Sequence, residues 1–260
     1  MKNKLLALLL IAGLVSACSD EENPSPDNGD DGNGNDDVQN YHKNPVGYSA
    51  NDLLATDEFT QLQIEIIHVQ DFALEDESLE TLKDFLQDRL HKPDGINITT
   101  TAIESPGRAP YSSEDITEVE ENQRSLFTSD NTITVYGFVA DGQFNQNENV
   151  LGLAYRNTSF IIFESQIKAN SGGLNQPSKA LLESTVINHE LGHLLGLVNN
   201  GTPMQEDHQD DEHGHHCDNE DCLMYWTAET GDIVSSLVGM DNPPPLDESC
   251  INDLKANGGR

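Results

Sequence analysis

His189-Glu190-Leu191-Gly192-His193-Leu194-Leu195-Gly196 carries the pattern H-E-x-x-H-x-x-G, and these residue types at this spacing can do metal chemistry. On a helix, side chains four positions apart leave the same face about one turn apart, so His189 and His193 can reach one ion. Glu190 follows the first histidine directly, where its carboxylate can lie beside the ion without binding it. That division of labour suits hydrolysis: zinc lowers the pKa of a water to about 7, and a neighbouring carboxylate takes its proton as a carbonyl is attacked. Gly196 would let the chain leave the helix through a left-handed conformation and turn back toward the ion. In a chain with 9 histidines the five-residue core of the pattern is only suggestive, so its downstream context matters.

That context is the run His216-Cys217-Asp218-Asn219-Glu220-Asp221-Cys222-Leu223-Met224. With it the chain resembles the metzincin metallopeptidases, in which a third histidine follows the helix and a methionine turn lies beneath the zinc. The form H-C-x-x-x-x-C-x-M is similar to the archaemetzincin branch, and Leu223-Met224-Tyr225 to the methionine turn of matrixins. The resemblance covers roughly residues 58 to 226. It implies an α/β (α+β) fold: a mixed sheet with backing helices, an active-site helix and a small C-terminal subdomain. It also implies Zn2+ as cofactor, Glu190 as general base, Met224 as a packed floor, and peptide or protein as substrate.

One position departs from the family. Its third ligand would fall at Asn199, and asparagine is a poor zinc donor. The resemblance favours His216, whose spacing to Met224 matches, with His208 and His213 as alternatives. On that reading an acidic insertion of 17 residues, Asn199 to His215, precedes the last ligand. Archaemetzincin-like cysteines at 217 and 222 would join a later C-x-x-C around a structural zinc. Here only Cys250 follows, so that site is incomplete unless a histidine completes it. Setting Cys18 aside, an odd cysteine count reads most simply as one disulfide and one free thiol.

Lys and Arg total 13 against 46 Asp and Glu, a formal net charge of −33. So acidic a chain repels nucleic acid and anionic membrane surfaces and favours cations. Glu206, Asp207, Asp210, Asp211 and Glu212, interleaved with His208 and His213, could hold Ca2+ or a second zinc, although such a run is more often a solvated loop.

Residues 1–17 read as a lipoprotein export signal, with Lys2 and Lys4 before the apolar run Leu5 to Val15. Val15-Ser16-Ala17-Cys18 resembles a lipobox and implies lipidation at Cys18. Residues 18–40, rich in Asp, Asn, Gly and Pro, read as a disordered acidic tether. The expected location is the bacterial cell envelope as an outer-membrane lipoprotein, with Cys18-Ser19-Asp20-Glu21-Glu22 resembling a surface-export signal. The membrane is then met only through the anchor, and a monomer is expected. Residues 41–260 would form the catalytic domain, divided near residues 197 and 198.

Elements must position these groups. Alternation marks strands over Thr60–Gln70, Ile96–Ile103, Thr132–Val139, Val150–Tyr155 and Phe160–Ile167. Helical spacing marks Ser78–Leu90, Ser113–Phe127, a long helix from Pro177-Ser178 through the motif, and a closing helix within Leu246–Ala256. Val150–Tyr155 is either an internal strand or the edge strand to which, by resemblance, extended substrate adds. Two other functions fit the same residues: a non-catalytic zinc-dependent peptide- or glycoprotein-binding module, and a metal-scavenging lipoprotein.

Overall fold

A computed structural model describes residues 40–260. The export signal, Cys18 and the tether up to residue 39 lie outside the described residues. Period-2 alternation sets the faces of the sheet. In β1 (Gln61–Val69), Leu62, Ile64 and Ile66 enter one buried cluster and Ile67 and Val69 the other. In β3 (Thr132–Ala140), Ile133, Val135 and Val139 oppose Tyr136, Phe138 and Ala140 in the same way. With β2 (Gly95–Ile103), β4 (Gly152–Arg156) and β5 (Ser159–Phe163) these strands form one sheet in the order β2-β1-β3-β5-β4. β2, β1, β3 and β5 run parallel, and β4 alone is antiparallel and forms an edge.

Among the described residues six α-helices accompany the sheet: α1 (Ala50–Leu54), α2 (Asp76–Arg89), α3 (Ser113–Gln123), α4 (Glu164–Ala169), α5 (Lys179–Leu194) and α6 (Glu248–Ala256). Leu82 and Leu86 of α2 and Leu182, Val186 and Leu191 of α5 fill one cluster. Ile116 and Val119 of α3 fill the other. Each fully buried Leu, Ile or Val contributes about 1.5–3 kcal/mol. α5 begins where Ser178 accepts a hydrogen bond from the Leu181 amide at 3.1 Å, an ordinary N-cap. Every residue of α5 after Lys179 is buried. A helix buried all round must be enclosed by other elements, so the polar groups of its last turns need partners inside the protein. Among the described residues no helix is long and apolar enough to cross a membrane.

Two expectations change. Phe160–Ile167 is a strand only to Phe163, because the ladder ends there: Phe163 pairs with Ala140, the last residue of β3, and Glu164 opens α4. The helix expected to reach Phe127 stops at Gln123, since Arg124 turns inward to Glu120 at 2.8 Å and to the Thr134 carbonyl at 2.9 Å. Ordered structure also precedes β1, where Leu53 and Leu54 of α1 are buried in the core.

Candidate metal centre

α5 delivers His189 and His193 to one place, with Nε2 atoms 3.1 Å apart. His189 Nδ1 donates to the Leu223 carbonyl at 2.7 Å and His216 Nδ1 to the His213 carbonyl at 2.7 Å. Those bonds fix the tautomer, leaving each Nε2 of a neutral ring with its lone pair free, as metal-ligating histidines require. Burial pushes the pKa of His189 down to about 4 and holds that of His193 well below its ordinary value. His216 is shifted upward instead, burial opposing the rise and the Glu229 carboxylate driving it. Its ring stacks on His189 with centroids 5.2 Å apart.

Of the alternatives for a third ligand, the structure brings only His216 to this point. Asn199 Nδ2 donates to Gln209 at 3.4 Å. His213 is paired with Asp210 at 2.6 Å and stacked on Trp226 at 4.4 Å between centroids. His208 faces the other way, with Nε2 2.8 Å from Asp253. The insertion folds back on itself: Gln209 pairs with Cys217, and the Asp210 amide donates to the His216 carbonyl at 2.8 Å. Its return brings the His216 ring against His189 and His193 of α5. The turn at Gly196 has φ 76°, and a Cβ there would stand 2.6 Å from the Thr202 amide nitrogen, so only glycine fits.

Glu190 is fully buried, and neither carboxylate oxygen has a hydrogen-bond partner. Burial, and then the charge of Glu229, raise its pKa well above the ordinary carboxylate value, against a smaller opposing effect of the Ala154 backbone amide. Its Oε1 points at edge strand β4, where a Cβ on Gly152 would approach it to 2.7 Å. Glu229 is a residue that no spacing rule singled out. It ends the 3-10 turn Trp226–Glu229, with Oε2 3.7 Å from His216 Nε2, 3.8 Å from His193 Nε2 and 3.9 Å from His189 Nε2. Met224 packs against α5, its Sδ 2.2 Å from where a Gly192 Cβ would stand.

The donor set fits zinc: three imidazole nitrogens and a carboxylate oxygen within 4.8 Å of one another, and an orphaned buried His216 Nε2. Leu153, Ala154, His193, His216 and Glu229 face a cleft of about 470 Å³ beside it. Two such groups occur among the described residues, and neither includes Glu206, Asp207, Asp210, Asp211 or Glu212. The calcium expectation for that loop is therefore not supported: Asp210 is already bonded to His213 and to the Glu212 amide.

The second group joins His208, Cys217, Asp247 and Cys250. Cys222 adjoins it, its Sγ 3.7 Å from Cys250 Sγ, and all three cysteines are free thiols rather than one disulfide and one thiol. His208 Nδ1 faces Cys217 Sγ at 3.5 Å while its Nε2 is held by buried Asp253, an arrangement in which a carboxylate orients a ligating imidazole.

No family model matches the sequence, and no curated protein matches it. Among solved structures the fold matches archaemetzincin from Methanopyrus kandleri, with a TM-score of 0.51 at 12% identity over 76% of this chain and 96% of that one. Metalloproteinase-II from Bacteroides fragilis gives a TM-score of 0.45 at 16% identity over 78% of this chain and 54% of that one, so this chain spans about half its length.

Proposed function

We propose that this protein is a zinc-dependent metallopeptidase in which His189, His193 and His216 hold the ion and Glu190 moves the proton. The observation that carries this reading is the convergence of three imidazole nitrogens beside a buried carboxylate with no hydrogen-bond partner. Zinc bound there supplies a Lewis acid for a carbonyl and brings the pKa of a water to about 7. Glu190 lies between α5 and the edge strand, so its carboxylate can take the proton of an attacking water and return it to the leaving amine. The free side of β4 offers backbone groups to an extended peptide, whose scissile bond would then lie over the histidines. Sharing its fold with an archaemetzincin supports the reading.

The test is cleavage of a diverse peptide library by the zinc-loaded protein. Cleavage lost on chelation and restored by zinc is the expected outcome. A folded, zinc-loaded protein that cleaves nothing would move the reading to a zinc-dependent peptide-binding or metal-scavenging module. Attachment to the bacterial envelope through Cys18 is proposed with it, on the Val15-Ser16-Ala17-Cys18 sequence alone.

We further propose that His208, Cys217 and Cys250, with Cys222 or Asp247, hold a second, structural zinc. This cluster ties the insertion to α6, so its metal would contribute to folding. Two zinc ions per chain are expected by elemental analysis. Cys250→Ser is expected to leave one and to lower the melting temperature, and an unchanged stoichiometry would sink the second site.

A further inference from the structure

We infer that Glu229 is a fourth protein ligand that closes the tri-histidine site at rest and must swing aside before water and substrate can enter. The inference rests on the zinc-peptidase reading. Its Oε2 is nearly equidistant from the three Nε2 atoms, so it stands over the centre of their triangle. Four ligands about 2.0 Å from one tetrahedral ion lie about 3.3 Å from each other. The carboxylate oxygen is therefore roughly 0.5 Å short of the fourth vertex, a shift that a side-chain rotation supplies.

Hydrogen bonds of neutral histidines do not account for that position. All three separations exceed hydrogen-bond range. His189 and His216 have committed their Nδ1 protons to backbone carbonyls. In their neutral forms they turn lone pairs toward a carboxylate, a contact that is repulsive unless a cation lies between.

The backbone of Glu229 is pinned where a peptide would meet the edge strand. Its carbonyl accepts from the Leu151 amide at 2.8 Å, and the next residue, Thr230, bridges to Val150. The Trp226–Glu229 turn thus docks at the start of β4 and presents a carboxylate to the histidines, much as a product peptide would. The side chain is 24% exposed, against 0% for His189, so it has a path outward into the cleft while its backbone stays in place. A peptide paired along β4 would compete for that position.

The experiment compares the full chain with Glu229→Ala and Glu229→Gln. Zinc affinity is read by competition with a chromogenic chelator, and ligation by the visible spectrum of the cobalt(II)-loaded protein. Replacing even an outer partner of a metal ligand costs about 10- to 100-fold in affinity, so losing a direct ligand should lower zinc affinity by roughly tenfold or more. The cobalt spectra of both variants should respond to added azide at concentrations that leave wild type unchanged, and zinc-saturated Glu229→Ala should cleave peptide faster. Unchanged zinc affinity and cobalt spectra in both variants, each folded by circular dichroism, would overturn the ligation. With wild type active, cleavage no faster by Glu229→Ala at saturating zinc would overturn the gate. Absence of cleavage by all three zinc-loaded proteins would overturn the peptidase reading alone, since the ligand set is still read from cobalt.

Discussion

Glu190→Gln is expected to slow peptide cleavage by about 100- to 10,000-fold, the usual contribution of a positioned general base. Glutamine keeps the length and volume of the side chain against Gly152 and Val186 but cannot accept a proton at neutral pH. Apart from the Ala154 amide of β4, close enough to bear on its pKa, Glu190 has no hydrogen-bonding neighbour, so the substitution removes little structural bonding and adds a neutral group to a fully buried position. The loss should therefore fall on kcat with KM little changed, because on the proposed mechanism the base acts in the transition state while the strand edge would hold the peptide. Zinc content should stay at the wild-type value, since the three imidazoles are untouched. Full activity in Glu190→Gln would place the base elsewhere, with Glu229 the next carboxylate in reach. Joint loss of zinc and activity would instead make Glu190 a ligand.

The part of the site on α5 was legible in the sequence because its residues are local. A helical repeat fixes the relation of His189, Glu190 and His193 whatever the rest of the chain does. Strand alternation located β1 and β3 to within a residue or two, since each buries both of its faces. What depends on long-range pairing was less readable. His216 could be preferred over His208 and His213 only through resemblance, and its place comes from a fold-back that pairs Gln209 with Cys217. Glu229 gave no signal at all: it reaches the histidines because Thr230 bridges to Val150, far away in the chain. The same bridge precedes β4, which the strand order places at an edge, a point its own residues left undecided. The cysteines misled by their number. An odd count pointed to a disulfide and a spare thiol, whereas the fold brings Cys217 and Cys250 to His208, with Cys222 beside Cys250.

Gly192→Ala is expected to destabilise the protein by about 1–3 kcal/mol, the usual cost of overpacking a core, although alanine is favoured over glycine within a helix by about 1 kcal/mol. Gly192 lies inside α5 without a positive φ, so backbone conformation gives no reason for glycine there. The reason is the approach of Met224, whose Sδ would lie 2.2 Å and Cε 3.1 Å from the new Cβ. Met224 is fully buried, and its carbonyl accepts from the Cys217 amide at 2.8 Å. The preceding carbonyl, of Leu223, orients His189. Displacing the methionine would thus reach both neighbouring clusters at once, tilting one zinc ligand and shifting Cys217. Zinc affinity at the tri-histidine site should fall by roughly tenfold or more, comparable to the loss of an outer-shell bond to a ligating histidine. Urea unfolding and chelator competition measure the two effects. Met224→Ala in the same chain should relieve the clash, so the double variant should lose less stability than the two single changes added together. Gly192→Ala more stable than wild type, with unchanged zinc affinity, would show that Met224 does not press on α5, and the glycine would then lack a structural reason.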